Sequence, residues 1–308
     1  MKVNLFSIGA MRAGSITIYH YLNQHPEIFM SPIKEPYYFV AEYHRRKIEA
    51  GGIISQSEQT AANRILNSGK YRTSKAYQTL FEGAESYTYI GEGSHYLHHP
   101  LTAKLIHEHN PVSKVIISLR NPIDRIYSEY LLYLRDGKID VSFSEFIKSR
   151  IVWNEENNTW QALRLNKGFY STLVPPWLRY FGKDNVKIFI FEDIVRNPIQ
   201  FCHQLYSWLG INSSFQATPV HAQRSGKPVS NKLMAVINSD SRIRSFAKTA
   251  IPQLLRIKIR DWFYKIFLKK ENMDRQTREI LETIYREDIN QLEHLISRDL
   301  SAWKSTCL

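Results

Sequence analysis

A mainly apolar run at positions 3–8 (VNLFSI) ends at Gly9, Gly14 follows five residues later, and positions 15–22 carry the apolar spacing of a helix. That pattern predicts a strand, a glycine loop and a helix, the helix running to about position 23 and stopped by His25-Pro26. A short strand with a proline-punctuated turn is expected at 27–39 (EIFMSPIKEPYYF), presenting Lys34 and Glu35. Pro36 biases Glu35 toward an extended backbone. Positions 40–85 are polar, with helical stretches near 58–67 and 76–81. A strand and loop are expected at 88–100, a helix at 101–109, and an almost wholly apolar strand at 114–119 that ends in Arg120. An amphipathic helix then runs from Pro122 to about Arg135. Residues 168–181 read as a helix interrupted by a proline pair, 186–191 as a buried strand, 198–209 as a helix closed by Gly210, and 275–296 as a final amphipathic helix. Apolar strands alternating with helices predict an α/β fold, three layers α/β/α around a central, mainly parallel sheet.

With 308 residues, 43% hydrophobic and 13% aromatic, the chain is long enough for one large core. We read it as a single domain, with 1–135 as the core, 136–230 as the remainder with a covering loop, and 231–308 as a basic helical region. A net charge of +12 and a pI near 9.5 favour acidic partners without choosing among them. No apolar run reaches the roughly 18–20 residues that span a bilayer, and the first strand starts too near Met1 to leave room for a signal peptide, so a cytoplasmic protein is expected. Cys202 and Cys307 are the two cysteines, too few for a disulfide framework or a cysteine metal site.

The glycine loop has the G-x-x-x-x-G spacing of a phosphate loop, but Ser15 and Ile16 stand where a nucleotide triphosphatase needs Lys and then Ser or Thr. Its basic residue, Arg12, sits inside the loop. The neighbouring strand ends in Arg120 where a kinase would place a magnesium-binding carboxylate, so the site suits anions without a metal. Ligands of open α/β sheets collect at the C-terminal ends of strands, which puts Arg120, and Ser128 about two turns into the next helix, near the loop. Glu92, Ser94, His95, His98 and His99 follow a predicted strand; lacking a helical His pair or a cysteine, they suit a histidine acid, base or donor better than zinc. The polar segment 217–231, with Arg224, Gly226 and Lys227, is suited to fold over a charged ligand or to serve as a linker. Residues 242–270 hold nine Lys or Arg against Asp261, with apolar residues at helical spacing. Such a helix packs on its own domain, lies on a membrane surface or grips an acidic substrate.

Taken together, IGAMRAGSITIYHYLNQHPEIF, SPIKEPYYF, GEGSHYL, VIISLRNPIDRIYSEY, FEDIVRNPIQFCHQLYSWLGI and RDLSAW make the chain resemble the sulfotransferases that use 3′-phosphoadenosine 5′-phosphosulfate (PAPS), particularly the bacterial and heparan-sulfate-type branch. The resemblance covers most of the chain and implies a P-loop-like sulfotransferase fold. It implies that Arg12, Ala13, Gly14, Ser15, Ile16 and Thr17 hold the 5′-phosphosulfate, that Arg120 and Ser128 hold the 3′-phosphate, and that Arg224, Gly226 and Lys227 cover the nucleotide. The glutamate of the K-E-x-x-F-F segment, here Glu35, is implied as general base, with His95 in the place of the histidine base of cytosolic sulfotransferases. Family loops carry Lys-x-Gly-Thr-Thr; here Arg12 keeps the charge without a readily lost proton, and Ile16 removes a hydroxyl. The implied partners are PAPS, its product PAP (3′-phosphoadenosine 5′-phosphate), and a glycan or small-molecule acceptor sulfated on a hydroxyl or amine. Neither metal nor nucleic acid is expected, and peripheral membrane contact would run through 242–270. Two other classes compete: a metal-dependent small-molecule kinase and a non-catalytic binder of polyanions.

Overall fold

The computed structural model describes residues 2–50, 71, 73–99, 101–154, 159–219, 227–228, 268–269 and 273–304. They form two compact units: Met1–Arg120 with Phe169–Ala222 and Asp288–Leu300, and Asn121–Gly168 with Gln223–Glu287 and Ser301–Leu308. In chain order the strands are β1 (Leu5–Ser7), β2 (Ile28–Met30), β3 (Tyr89–Gly93), β4 (Lys114–Leu119), β5 (Ile151–Asn154), β6 (Thr159–Ala162) and β7 (Val186–Ile190).

In the first unit, five strands make one parallel sheet in the order β2-β3-β1-β4-β7. The apolar runs explain it. Leu5, Phe6, Val115, Ile116, Ile117 and Leu119 are all 0% exposed, as residues covered on both sheet faces must be. Successive side chains of a strand point to opposite faces. Leu5 accordingly joins Ile18 and Leu22 of helix α1 (Ser15–Gln24), and Leu205 and Tyr206 of the helix Pro198–Leu209, in one cluster. Phe6 instead meets Phe39 of helix α2 (Tyr38–Glu49), ring centroids 5.8 Å apart. Burying a side chain of this size stabilises by about 1.5–3 kcal/mol, and both layers depend on it. α1 ends as its sequence predicts: His25 has an extended backbone and donates its N–H to Leu22 O, and Pro26 follows.

The second unit contains the helix Pro122–Arg135, capped by Asn121, whose side chain accepts the Ile123 N–H at 2.9 Å. It also contains the antiparallel hairpin β5–β6. Neither that hairpin nor α2 is anticipated by the hydrophobic pattern. The helix expected at 76–81 begins earlier, at Ser74, where Thr73 caps it, and passes into a 3-10 turn over Thr79–Phe81. The expected helix at 58–67 and the basic segment 242–270, apart from Leu268–Lys269, lie outside the described residues. None of the described helices is long and apolar enough to cross a membrane.

Candidate active site

β1 is the middle strand, flanked by β3 and β4, so the segments leaving the C-terminal ends of these three strands converge. The loop after β1 is tied to β4 from both directions: Ala10 N–H donates to Ser118 O (2.6 Å), and Ser118 N–H donates to Gly9 O (2.7 Å). Met11 N–H donates to His98 Nε2 at 3.1 Å. Arg12 and Gly14 then take φ of 68° and 86°, in the left-handed region. Glycine is required at 14, because a Cβ there would lie 2.8 Å from Phe191 Cδ2. The space that Gly14 leaves thus admits the Phe191 ring. The hydrogen-bond ladder of α1 begins with Ile18 N–H to Gly14 O at 3.0 Å. The N–H groups of Ser15, Ile16 and Thr17 precede it and mark the positive end of the helix.

Arg120 leaves β4 beside this loop. Its Nη1 donates to Arg12 O at 3.3 Å, and its guanidinium carbon lies 4.8 Å from the centroid of the Phe191 ring. Tyr170 donates its hydroxyl proton to Arg120 O at 3.0 Å, fixing the main chain there. Ser128 lies in the second unit, buried on the helix Pro122–Arg135. Arg224 and Gly226 lie outside the described residues; Lys227 is in a two-residue strand paired antiparallel with Leu268–Lys269.

The segment after β2 brings up Glu35, and here the sequence expectation is corrected. Glu35 is not extended: its φ is +63°, and Tyr37 has φ +53°. A left-handed backbone at a residue with a side chain costs about 1–3 kcal/mol and persists where surrounding bonds over-determine it. Those bonds are present. Glu35 N–H donates to Gly93 O (2.8 Å) at the end of β3. Its carboxylate accepts from Lys34 Nζ at 2.7 Å and from the Tyr37 hydroxyl at 3.2 Å. His95 Nδ1 stands 3.6 Å from Glu35 Oε1.

His95 joins this carboxylate to the loop. Its Nδ1 is 3.1 Å from the Tyr37 hydroxyl and its Nε2 is 3.1 Å from Ser15 Oγ. Tyr37 has one proton, and giving it to Glu35 requires His95 Nδ1 to carry a hydrogen of its own. The chain Ser15–His95–Tyr37–Glu35 therefore runs unbroken from the first residue of α1 to the carboxylate, and the two candidate bases form one cluster. Burial pushes Glu35 upward, but the charges of His95 and Lys34 and the bonds from Lys34 and Tyr37 outweigh it and hold the carboxyl below its ordinary range. Burial, and then the Glu35 charge, push the Tyr37 hydroxyl far up, so it remains a proton donor. Tyr37 and Phe191 are the two participants that the sequence does not single out. The position of Tyr37, two residues after Glu35, is a usable signal; nothing marks Phe191.

Among the described residues, no three or more His, Cys, Asp or Glu side chains gather as metal ligands. A cleft of about 1310 Å³ runs along the outer edge of β7, and none of these candidate residues lines it.

Residues 4–215 match the profile described as "Sulfotransferase family". Carbohydrate sulfotransferase 15 of Rattus norvegicus is 24% identical over 250 residues, covering 68% of this chain and 44% of the rat protein. The Homo sapiens protein of the same name is 24% identical over 244 residues, with the same coverages. The match thus spans less than half the length of these curated relatives. A solved sulfotransferase from Alicyclobacillus acidocaldarius superposes with a TM-score of 0.66 at 25% identity, covering 99% of this chain and 100% of that one. With more than half of its length matched to the profile, this chain belongs to the sulfotransferase family.

Proposed function

We propose that the chain moves the sulfuryl group of PAPS to a hydroxyl or amine of a carbohydrate or other small acceptor, with Glu35 as general base. The observation that carries this reading is the hydrogen-bonded line from Ser15 through His95 and Tyr37 to an ionised Glu35. It sets a proton acceptor at a fixed place relative to an anion-binding helix end.

The donor's fit rests on the loop. The left-handed turns at Arg12 and Gly14 and the N–H groups of Ser15, Ile16 and Thr17 form a positive concavity of the kind that takes a phosphate. Arg12 and these N–H groups would hold the 5′-phosphosulfate, and Arg120 the 3′-phosphate. PAPS supplies the sulfuryl group and a phosphate leaving group. The protein's residues do the rest. Glu35 accepts the proton of the attacking hydroxyl, Lys34 and His95 keep the carboxylate charged until it does so, and Arg12 with the loop amides meets the negative charge left on the phosphate side. By analogy with phosphoryl transfer, such placement and fixed charge supply most of the catalysis.

The test is a screen of soluble oligosaccharides and small hydroxyl and amine compounds with sulfate-labelled PAPS, alongside a thermal-shift comparison of PAP with ATP. Label should pass to at least one acceptor, and PAP should raise the melting temperature more than ATP does. Glu35→Gln should cut transfer by about 10²–10⁴-fold with PAP binding retained. A melting temperature raised by ATP with magnesium and not by PAP would replace this reading with a kinase.

A further inference from the structure

Sulfuryl transfer as described makes no use of the fully buried carboxylate on β3. Glu92, in β3, is 0% exposed. Three hydroxyls donate to it: Tyr77 at 2.9 Å and Tyr96 at 2.8 Å to Oε1, and Ser94 at 2.9 Å to Oε2. Tyr77 comes from the helix Ser74–Gln78 and Tyr96 from the 3-10 turn Tyr96–His98; Tyr37 is a further titratable group, raised in part by the Glu92 charge, and β1 sets Phe6 in register beside Glu92. Burial pushes the carboxyl up to about 7 against the downward pull of the three hydroxyls.

Two of these hydroxyls pass the bond on. Ser94 Oγ accepts the Tyr37 N–H at 3.3 Å, and Tyr96 Oη accepts the Phe39 N–H at 3.4 Å. Tyr37 and Phe39 begin α2, a helix whose N-cap residue, Tyr37, makes no side-chain capping bond. The first N–H groups of a helix need an acceptor, and a Ser, Thr, Asp or Asn cap usually provides it. Here hydroxyls from another segment provide it. A hydroxyl that gives its proton to Glu92 keeps its lone pairs for a backbone N–H. If Glu92 itself carries a proton, or an amide replaces it, one of the three hydroxyls must accept from position 92 and turn its own proton elsewhere.

We infer that Glu92 is a positioning residue for the transfer reaction: by taking the protons of Ser94 and Tyr96 it aims their oxygens at the N–H groups of Tyr37 and Phe39, and so fixes the left-handed turn that carries Glu35. The inference rests on Glu35 being the base. Its pH consequence has a definite sign. As pH falls through about 7, Glu92 takes up a proton and the turn loosens, so kcat falls there. The limb that belongs to Glu35 lies lower, because that carboxyl is held below its ordinary value.

Glu92→Gln in the full chain tests this by two routes. Hydrogen exchange followed by mass spectrometry, with neither donor nor acceptor present, should show faster exchange in the peptide spanning 36–40 and unchanged exchange in the β1 and β4 peptides. With an acceptor from the screen, kcat should fall about 10- to 100-fold, the PAPS KM should hold, and the limb near pH 7 should vanish. Wild-type exchange at 36–40, or a wild-type pH profile in the variant, would overturn the inference. So would faster exchange throughout the sheet. Should Glu92→Gln fail to fold, Ser94→Ala removes one relay while leaving the carboxylate in place, and it should speed exchange at Tyr37; no change there would equally overturn it. A wild-type chain that transfers no sulfate would sink the sulfuryl-transfer reading and leave the exchange result to decide this one.

Discussion

Gly14 sits between a left-handed turn and the edge of an aromatic ring, and it meets both demands by having no Cβ. Gly14→Ala must push a methyl group to 2.8 Å from Phe191 Cδ2 while holding φ at 86°. That strain should cost about 1–3 kcal/mol, read as a lower denaturation midpoint, and PAP binding measured by calorimetry should weaken because the Phe191 ring also lies against Arg120. Lys34 acts on the neighbouring carboxylate. Its charge and hydrogen bond help to hold Glu35 down, so Lys34→Met should raise the Glu35 pKa. A base must be ionised to act, so the acid limb of kcat/KM attributable to Glu35 should move to higher pH in the variant, and an unmoved limb would separate Lys34 from the base. The identity of Glu35 as a candidate is legible from K-E-P-Y-Y-F. Its conformation is not, because the bond from its N–H to Gly93 O joins residues far apart in sequence and outweighs the local preference before proline.

Among elements, the helix Pro122–Arg135 shows what a periodic pattern can hide. Arg125, 1% exposed, pairs with Glu129 one turn later at 2.9 Å, and Lys167 joins Glu129 at 2.8 Å. Burial raises the Glu129 carboxyl, but these two cations overcome it and bring it down to about 2. A carboxylate lowered on folding stabilises the fold above its unfolded pKa, so the contribution is present above about 4.5 and lost as pH falls toward about 2. Glu129→Gln leaves a buried guanidinium without its charge partner and should cost about 3–5 kcal/mol at neutral pH. The gap between variant and wild type should narrow on acidification through that window, as denaturant titrations at several pH values would show. α2 escapes the same pattern analysis for a related reason. Its buried face includes Glu42 and His44, and Glu42 is satisfied by Arg45 and Arg46. Binary patterning reads such a face as solvent-exposed.

For the whole molecule, 41 Lys and Arg against 29 Asp and Glu create a field that favours acidic ligands. Surface charge is screened over about 10 Å at 0.1 M salt, so PAP affinity should fall steadily as ionic strength rises. A flat salt response would confine recognition to buried contacts. The order of the five core strands was legible at this scale, because apolar runs closed by glycine and proline mark them and amphipathic spacing marks most of the helices between them. The glycine turn, Arg120 and the K-E-P segment could be named from sequence, since each is a local pattern attached to a strand end. Which groups meet was settled by the order β2-β3-β1-β4-β7, which carries β3 and β4 to either side of β1. That arrangement turned two alternative bases into one hydrogen-bonded cluster through Tyr37, placed the Phe191 ring against Gly14, and set the first N–H groups of α2 on the hydroxyls held by Glu92. Local sequence fixes periodicity and backbone preference over a few residues. Hydrogen bonds between residues 57 apart, such as Tyr37 to Ser94, exist only once the sheet has formed.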